Sequence, residues 1–517
     1  MRRTASSKLP AHLKMSASDD SPGIEPEEEK VSPELMKALH GTGPKLTFWP
    51  LVALIYFEVS GGPYGVEDVV GAGGPLLAIL GFLVFPLVWS VPEALVTAEL
   101  ATAFPENGGY VVWVTAAFGE FWGFQQGWWK WLSGVIDNSL YAVLFLDYTK
   151  SVVPALGGGF GRVVSLNVIV FLLTYLNYRG LTIVGSTAVA LGIFGFLPFI
   201  ALALVAIPRI RPSRWFEYPR SQVSWRGYMN SIFWNLNYWD SVSTLAGEVE
   251  KPRRVLPRAL FVAVVLVVTS YLLPLMVGTG AAPVILEQWH DGHFAQVAYS
   301  LGGPVLRWWL VFAAASSNIG MFEAEMSSDS FQLLGMSERG MLPEFFAIRS
   351  RHGTPTAAIL FSASGVLLLS WMNFSQIVEL LNFLYCLGMV LEFAAFIWLR
   401  IKEPDLERPY MVPLNTTGVI IMSAIPVSVL IWVMSLASYY TVAISLVASV
   451  IGFGLHPLLV LAKRHRWCKF LVDPGLPDLD HLEHEHVATP GDSSEDSGPS
   501  RGEDARPMLS DPRGSEG

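Results

Sequence analysis

The sequence predicts an all-α integral membrane protein with twelve transmembrane helices. Of its 517 residues, 52% are hydrophobic and only 15% are charged, and the mean hydropathy is +0.43. Soluble domains carry about 25% charged residues, and a helix needs about 20 mostly apolar residues to cross a bilayer. Apolar runs of this kind recur along the chain and place spans at 47–75, 76–101, 116–151, 162–178, 184–207, 227–249, 258–281, 304–335, 355–372, 376–400, 417–437 and 438–462.

The two ends of the chain differ from this apolar domain, which covers residues 46–465. Residues 1–45 and 466–517 are polar, acidic and poor in aromatic residues, a composition typical of disordered tails. An even number of spans places both tails on one side of the membrane. Most Lys and Arg residues of the loops lie on that side, with a basic cluster at 209–220 as the exception, so the positive-inside rule predicts cytoplasmic tails.

Span 1 is interrupted near its middle. The stretch FEVSGGPYGVED, residues 57–68, contains three glycines and a proline, Gly61, Gly62, Pro63 and Gly65. Proline lacks an N–H and glycine adopts dihedral angles that other residues avoid, so the helix should break here. Exposed backbone groups are tolerated at membrane depth only beside protein or a water-filled cavity. The break is also bracketed by acids, Glu58, Glu67 and Asp68, and the sequence leaves open which of the three faces the cavity.

A second interruption lies in span 6. Its middle is crowded with polar residues, Asn235, Asn237, Asp240, Ser241 and Ser243. Such side chains are costly in lipid and generally face the interior of a bundle. Interruptions in corresponding spans of two halves indicate an inverted-repeat transporter with its site between the broken helices. Spans 1 and 6, five spans apart, therefore predict a substrate cavity.

Other classes of function have little support in the sequence. The two cysteines, Cys386 and Cys468, can form neither a disulfide framework nor a metal cluster. No HExxH or GxSxG motif occurs, and His456 is the one histidine within a predicted span. We therefore expect a protein that is not an enzyme, with no metal, no cofactor and no nucleic-acid partner.

Specific motifs give the chain a resemblance that covers residues 46–465. EALVTAELATAFPENGGYVVWVTAAFG, NYWDSVSTLAGEVEKPRRVLPRAL and SSDSFQLLGMSERGMLP are similar to motifs of the amino acid–polyamine–organocation superfamily. The acid-bearing GGPYGVED resembles the plant polyamine uptake transporters of its L-type amino acid transporter group. The resemblance implies a LeuT-like fold, with a 5+5 inverted repeat, discontinuous helices 1 and 6, and a midplane site between spans 1, 3, 6, 8 and 10.

The span 1 motif departs from the amino-acid carriers of the superfamily, in which free amides of the break hold the substrate carboxylate. Here Pro63 removes one amide donor, Tyr64 adds an aromatic wall, and Glu67 adds negative charge at the second half-helix. Such a site would repel a carboxylate and attract an ammonium group. We therefore expect a polycationic substrate, and the resemblance implies a polyamine such as spermidine, spermine or putrescine, with paraquat as a further candidate.

Polyamine recognition should combine spaced carboxylates with aromatic rings. The resemblance implies Asp240 as a substrate-binding or proton-coupling acid, Trp234 as the aromatic that closes over substrate, and Asn138 as a contact. The remaining contact candidates lie on spans 1, 3 and 8, namely Tyr64, Glu67, Asp137, Tyr141, Asn318 and Glu323. Further polar residues of spans 8 and 10 are Glu325, Glu379, Asn382 and Tyr385.

Neighbouring acids on a helix diverge, so at most one of Glu67 and Asp68, and one of Glu323 and Glu325, should face the cavity. Burial favours the neutral form of a carboxyl and a nearby cation favours the charged form, so such acids can carry protons. The proton-coupling candidates are Asp240, Glu67 and Glu323.

The sequence thus predicts a proton-coupled polyamine symporter. Sodium coupling stays open, because Ser316 and Ser317 could offer oxygen ligands. The alternatives are a cationic amino-acid transporter of the same fold and a non-transporting sensor or receptor. The expected location is the plasma membrane, with the Golgi and endoplasmic reticulum as other options, and the oligomeric state is open.

Overall fold

The computed structural model describes residues 45–149, 158–219, 223–290, 292–370, 374–477 and 479. These residues contain no β-strand and are mainly helical. The helices are α1 (Phe48–Val59), α2 (Glu67–Val88), α3 (Ser90–Ala103), α4 (Tyr110–Phe118), α5 (Glu120–Thr149), α6 (Gly159–Tyr178), α7 (Leu181–Ala206), α8 (Trp225–Trp234), α9 (Pro252–Ala281), α10 (His293–Glu338), α11 (Thr356–Leu369), α12 (Phe374–Lys402), α13 (Thr416–Ser435) and α14 (Tyr439–Arg464). Short 3₁₀ segments lie at Ile207–Arg209, Pro212–Phe216, Ser241–Glu248, Leu286–Gln288 and Glu344–Phe346.

The predicted twelve-span architecture is confirmed in the described part of the chain. Eight helical stretches are long and apolar enough to cross a membrane, judged by length and composition. The other four spans are α1 with the start of α2, the charge-bearing α5, α8 with the 3₁₀ segment Ser241–Glu248, and the short α11. Apolar side chains such as Phe171, Leu204 and Leu446 are exposed on the outside of the bundle, whereas many polar side chains are buried inside it.

Some span boundaries differ from the prediction for a local reason. Span 1 turns into span 2 at Gly74, inside α2, because this glycine adopts a positive φ of 76°. The third span begins at Glu120 rather than at 116, since Gly119 with φ 87° ends α4 and separates it from α5. Glycine in this left-handed region is a common helix terminator.

Both predicted helix breaks are present and they touch each other. Span 1 is non-helical over residues 60–66, and span 6 is irregular between Trp234 and the 3₁₀ segment. A side chain at Gly65, which has φ 88°, would meet the Trp234 ring at 2.7 Å, and the amide of Asn235 donates to the Gly65 carbonyl at 3.3 Å. The two breaks therefore form one irregular region inside the bundle.

The side of the bundle that holds residues 45 and 464 is called the terminal side below. Residues 466–477, assigned to the C-terminal tail by the sequence, have a defined path there. Asp473 is buried and its N–H donates to the Glu338 carbonyl at 2.9 Å, while Arg339 forms a β-bridge with Val472. The tail residues beyond 479 and the N-terminal residues 1–44 lie outside the described part of the chain.

Candidate functional site

Four buried carboxyl groups meet beside the break in span 1. We call Glu58, Asp137, Glu325 and Asp329 the open acid group; they come from α1, α5 and α10, and each is at most 3% exposed. Glu58 lies within electrostatic range of Asp137 and Glu325, and Asp329 lies within range of Glu58 and Asp137. The Ser328 hydroxyl donates to Glu58. The helices thus bring together acids that are far apart in sequence.

A glycine on α5 makes room for two of these acids. A side chain at Gly134 would collide with carboxylate oxygens of both Glu325 and Asp329. The two acids are four residues apart on α10, so they project from the same face of that helix. Close approach of α5 and α10 therefore depends on the missing side chain at Gly134.

The open acid group has no cationic partner in the part of the chain that the structure describes. No Lys, Arg or His among the described residues forms an ion pair with any of its four members. One carboxylate oxygen each of Glu58, Glu325 and Asp329 also lacks a hydrogen bond in the described structure. Burial of an unpaired charge is very costly. The group is therefore stable only when it holds protons, a bound cation or both.

Aromatic residues hold Asp137 in place. The Trp234 indole N–H donates to Asp137 Oδ1 at 2.9 Å, and the Tyr141 hydroxyl donates to Oδ2 at 2.8 Å. Trp234 belongs to the end of α8, so this contact joins the span 6 break to span 3. The structure thus brings together three of the predicted site residues, Asp137, Tyr141 and Trp234.

Asp240 lies in a second cluster of acids, which contains a lysine. We call Glu93, Asp240, Glu392 and Lys130 the lysine group. Lys130 Nζ is 2.5 Å from Asp240 Oδ2 and 3.8 Å from Glu392 Oε1, and all three side chains are at most 1% exposed. Asp240 is therefore paired with a cation of the chain itself, a pairing that was not predicted from the sequence.

Tyr385 joins the members of the lysine group. Its hydroxyl lies 2.5 Å from Glu93 Oε1 and 3.1 Å from Asp240 Oδ1, and it accepts the Tyr238 N–H at 2.9 Å. Glu93 also accepts the Trp239 N–H at 2.8 Å. Glu93 of α3 thus contacts the span 6 break directly.

Glu67 and Tyr64 lie apart from both clusters. Glu67 is fully buried and accepts the Gly65 N–H at 3.0 Å and the Phe294 N–H at 3.5 Å, so it caps backbone groups. Tyr64 packs edge-on against Tyr148 and Phe199, with ring centroids 6.0 and 5.5 Å away. Of Glu67 and Asp68, Glu67 is the more buried. Its carboxylate stabilises the backbone of the helix break and does not join the open acid group.

Glu323 also points away from the open acid group. Its carboxylate accepts a hydrogen bond of 2.9 Å from the amide of Asn177 on α6. Glu325, two residues later, is the member of this pair that joins the group, as expected for residues that diverge on a helix. Asn138 is fully buried with an amide that makes no hydrogen bond in the described structure, and Asn318 donates to the Ala314 carbonyl at 2.9 Å.

The amides of the span 1 break are already used within the chain. The N–H groups of Ser60 and Gly61 donate to the Tyr56 carbonyl, and that of Gly62 donates to the Ser60 hydroxyl at 3.1 Å. The remaining donors are also occupied, because Tyr64 N–H binds the Gly62 carbonyl and Gly65 N–H binds Glu67. This break therefore offers a carboxylate no free backbone donor from Ser60 to Gly65.

A polar cavity of about 420 Å³ opens on the side opposite the terminal side. Its lining comes from α2, α8, α12 and the loop before α10, and includes Asp68, Arg226, Asn230, Ser231, Trp289 and Glu379. Asn230 also accepts a hydrogen bond of 3.2 Å from Asn382. Because α8 runs from this cavity to Trp234, the cavity lies on the route toward the breaks.

Ion pairs close the terminal side. Glu99 pairs with Arg400 at 2.5 Å and Arg408 at 3.1 Å. A second pair joins Glu106 to Arg339 through two hydrogen bonds of 2.6 and 2.9 Å. Burial raises the pKa of Glu106 above its usual value, Arg339 opposes this, and the charge of Asp473 adds to it.

Arg349 forms a third connection on the terminal side. It contacts Glu248 at 2.8 Å and Glu338 at 3.3 Å, and Glu248 also lies 3.6 Å from Lys45. These pairs link the end of span 6 to the start of span 1 and the end of span 8. The structure is therefore closed by charge pairs on this side, whereas a cavity opens on the other.

The comparison with known proteins agrees with this architecture. The family model described as "Amino acid permease" matches residues 46–455. The chain belongs to the amino acid permease family. A probable polyamine transporter of Arabidopsis thaliana is 60% identical over 86% of this chain and 90% of its own length.

Two further relatives are similarly close. Polyamine transporter PUT1 of Oryza sativa subsp. japonica is 59% identical over 83% of this chain and 81% of its own length. Polyamine transporter RMV1 of Arabidopsis thaliana is 57% identical over 84% of this chain and 90% of its own length. The predicted family is confirmed, and this permease is a multi-pass membrane protein.

Several residues of the two clusters were missed as site candidates by the sequence analysis. Lys130, Asp329, Glu325 and Glu392 were not selected as site residues, and Glu58 was left open as one of three acids, with Glu67 and Asp68, that could face the cavity. A signal existed for Lys130, since an ionisable residue within a span is itself a sign of function. Which acids face each other depends on the rotation of α10 against α5, which no local pattern in the sequence specifies.

Proposed function

We propose that this permease is a proton-coupled symporter that imports polyamines. The observation that carries the proposal is the open acid group, four buried carboxyls without a cation among the described residues. A polyamine supplies ammonium groups at short intervals, which would neutralise several carboxylates at once. The printed names of the three relatives, all polyamine transporters, support the same substrate class.

The occupied amides of the span 1 break favour a substrate without a carboxylate. A cationic amino acid would need donors for its carboxylate beside carboxylates for its side chain. The break offers no free N–H between Ser60 and Gly65, and Glu58 and Glu67 add negative charge at its two ends. We therefore favour polyamines over arginine or lysine.

Proton coupling follows from the same group. Four like charges at close range repel one another, so protons must neutralise part of the group when no substrate is bound. A substrate with fewer ammonium groups than the group has carboxyls leaves a carboxyl free to take up a proton, so substrate and proton load together from the open side and leave together on the other side. This assigns the coupling protons to Glu58, Asp137, Glu325 and Asp329 in preference to Glu67 or Glu323, which are engaged elsewhere.

We further propose that the terminal side faces the cytoplasm and that the protein lies in the plasma membrane. The loops of the terminal side hold most of the basic residues, which favours a cytoplasmic location. The cavity lined by Asp68 and Glu379 would then open to the outside, ready to admit substrate.

The test is uptake of labelled spermidine by the purified protein in liposomes. A gradient acidic on the outside should drive uptake, and its collapse should remove most of the accumulation even when choline replaces sodium. Excess unlabelled spermine should compete, whereas excess arginine should not. Uptake that requires sodium but ignores the proton gradient would refute the coupling, and competition by arginine would indicate the cationic amino-acid carrier.

A further inference from the structure

The lysine group offers Lys130 the environment that a substrate ammonium would need. Its Nζ lies 2.5 Å from Asp240 Oδ2 and 3.8 Å from Glu392 Oε1. The same nitrogen lies 3.7 Å from the centre of the Tyr385 ring, 4.9 Å from that of Tyr110 and 5.6 Å from that of Tyr238. Carboxylates and ring faces together are what binds an ammonium group in a dry site.

This ammonium site adjoins the open acid group. Lys130 and Asp137 are seven residues apart on α5, which places them on nearly the same face and about 10.5 Å apart along the helix axis. Ser133, between them, shares a hydrogen bond of 2.7 Å with the Tyr238 hydroxyl. Tyr110 lies within electrostatic range of Asp240 and of Glu325, so acids of both clusters lie near the same tyrosine.

The two clusters differ in what fills them. The lysine group has three carboxyls around one resident ammonium, whereas the open acid group has four carboxyls and no cation among the described residues. A chain of ammonium groups joined by three or four carbons could extend from one cluster into the other if Lys130 were absent. The place that Lys130 Nζ occupies is called the terminal-side ammonium site below. With Lys130 present, this place is not available to an ammonium group of the substrate.

We propose that Lys130 is a specificity-determining residue whose ammonium fills the terminal-side ammonium site and limits how many substrate ammonium groups the carrier binds. This inference rests on the proposed polyamine transport. Lys130 sets an upper limit on substrate length because it occupies the place of a further ammonium. A neutral residue there opens that place, so longer and more highly charged polyamines gain affinity over short ones.

The test measures binding of putrescine and spermine, by competition with labelled spermidine, to purified wild type, Lys130→Gln and Lys130→Arg. In Lys130→Gln the ratio of spermine affinity to putrescine affinity should rise about 10-fold or more over wild type, because one further charged contact forms. In Lys130→Arg the cation is retained, so the ratio should stay close to that of wild type.

A double variant tests whether the vacated carboxylate makes the difference. Lys130→Gln with Asp240→Asn keeps the space but removes the acid that held the lysine, so most of the gain for spermine should disappear. An equal gain in the double variant would overturn the proposal. So would an unchanged ratio in Lys130→Gln while wild type binds polyamines. A wild type that binds no polyamine would instead overturn the proposed function and this inference with it.

Loss of Lys130 leaves Asp240 buried without its cation and lowers stability. The second readout is therefore the melting temperature of Lys130→Gln, purified in the presence of either polyamine. Spermine should raise the melting temperature more than putrescine does, and Lys130→Arg should show no such difference beyond that of wild type. A Lys130→Gln protein that spermine stabilises no better than putrescine contradicts the proposal.

Discussion

The acids of the terminal side and the acids of the open acid group are all largely buried but differently partnered. Glu99, Glu106 and Glu248 each have an arginine within 2.8 Å. Glu58, Glu325 and Asp329 have no cationic partner among the described residues, and each leaves one oxygen without a hydrogen bond there. Paired acids stabilise one arrangement of the helices, whereas acids without a cationic partner are available to bind a cation of the substrate. Partnering, rather than burial, separates a structural carboxylate from a binding one here.

The largest expected effect concerns a paired acid. Arg400→Met leaves Glu99 fully buried with Arg408 as its remaining partner, so the free energy of unfolding should fall by about 3–5 kcal/mol. Thermal unfolding of the purified protein measures this loss. The control is Glu99→Gln together with Arg400→Met, which removes both charges and should recover much of the stability. A single variant as stable as wild type would mean that Glu99 does not need Arg400, which weakens the contrast between the two regions.

The next effect concerns an unpaired acid. Glu325→Gln removes one carboxylate that the substrate would neutralise, so spermidine affinity should fall by about 10- to 100-fold, corresponding to 1.5–3 kcal/mol for a charged hydrogen bond. The protein should lose no stability, because the variant removes a buried acid that has no cationic partner among the described residues. Binding and melting measurements on one preparation check both statements.

The matched control lies two residues away on the same helix. Glu323→Gln changes an acid of equal burial that binds Asn177 instead of facing the open acid group. The spermidine affinity of this variant should stay within about 3-fold of wild type. That is less than the tenfold change that corresponds to about 1.4 kcal/mol of binding free energy. Equal losses in the two variants would show that position on α10 does not decide which acid binds substrate.

A smaller effect is expected where α5 makes room for the acids. Gly134→Ala places a methyl group against Glu325 and Asp329, and overpacking of this kind costs about 1–3 kcal/mol. Spermidine affinity should fall because both carboxylates must move. Gly195→Ala on α7 is the control, since a side chain there meets no atom within 4 Å and should leave binding unchanged. Full affinity in Gly134→Ala would mean that these two acids do not contact substrate.

The sequence predicts more of the fold than of the site, and the reason lies in the range of the interactions. Apolar runs and glycine-rich breaks are local signals, so the twelve spans and both interruptions could be predicted. Asp137 and Tyr141, four residues apart on one helix, could likewise be predicted to lie on one face. The pairing of Asp240 with Lys130 could not, because it depends on how span 6 approaches α5. The choice between Glu323 and Glu325 depends on the rotation of α10, which contacts from several helices determine.

The smallest expected effect tests a paired acid by pH. Burial and Asp473 raise the pKa of Glu106 in the folded protein, with Arg339 opposing, so the native state binds more protons than the unfolded state above the usual pKa of Glu. Stability from this group is therefore present at low pH and is lost as pH rises through the folded pKa.

Arg339→Gln removes the opposing charge, so this loss should become larger. The melting temperature of the variant should lie close to that of wild type near pH 5 and fall below it near pH 8, by an amount that corresponds to about 1.5 kcal/mol, the low end of the range for a lost charged contact. Glu106→Gln in the same background should remove the added pH dependence. Melting curves of wild type and Arg339→Gln that run parallel from pH 5 to pH 8 would mean that Glu106 ionises without help from Arg339. The terminal side would then be held by its other pairs, and Glu106 would belong with the unpaired acids despite its short contacts.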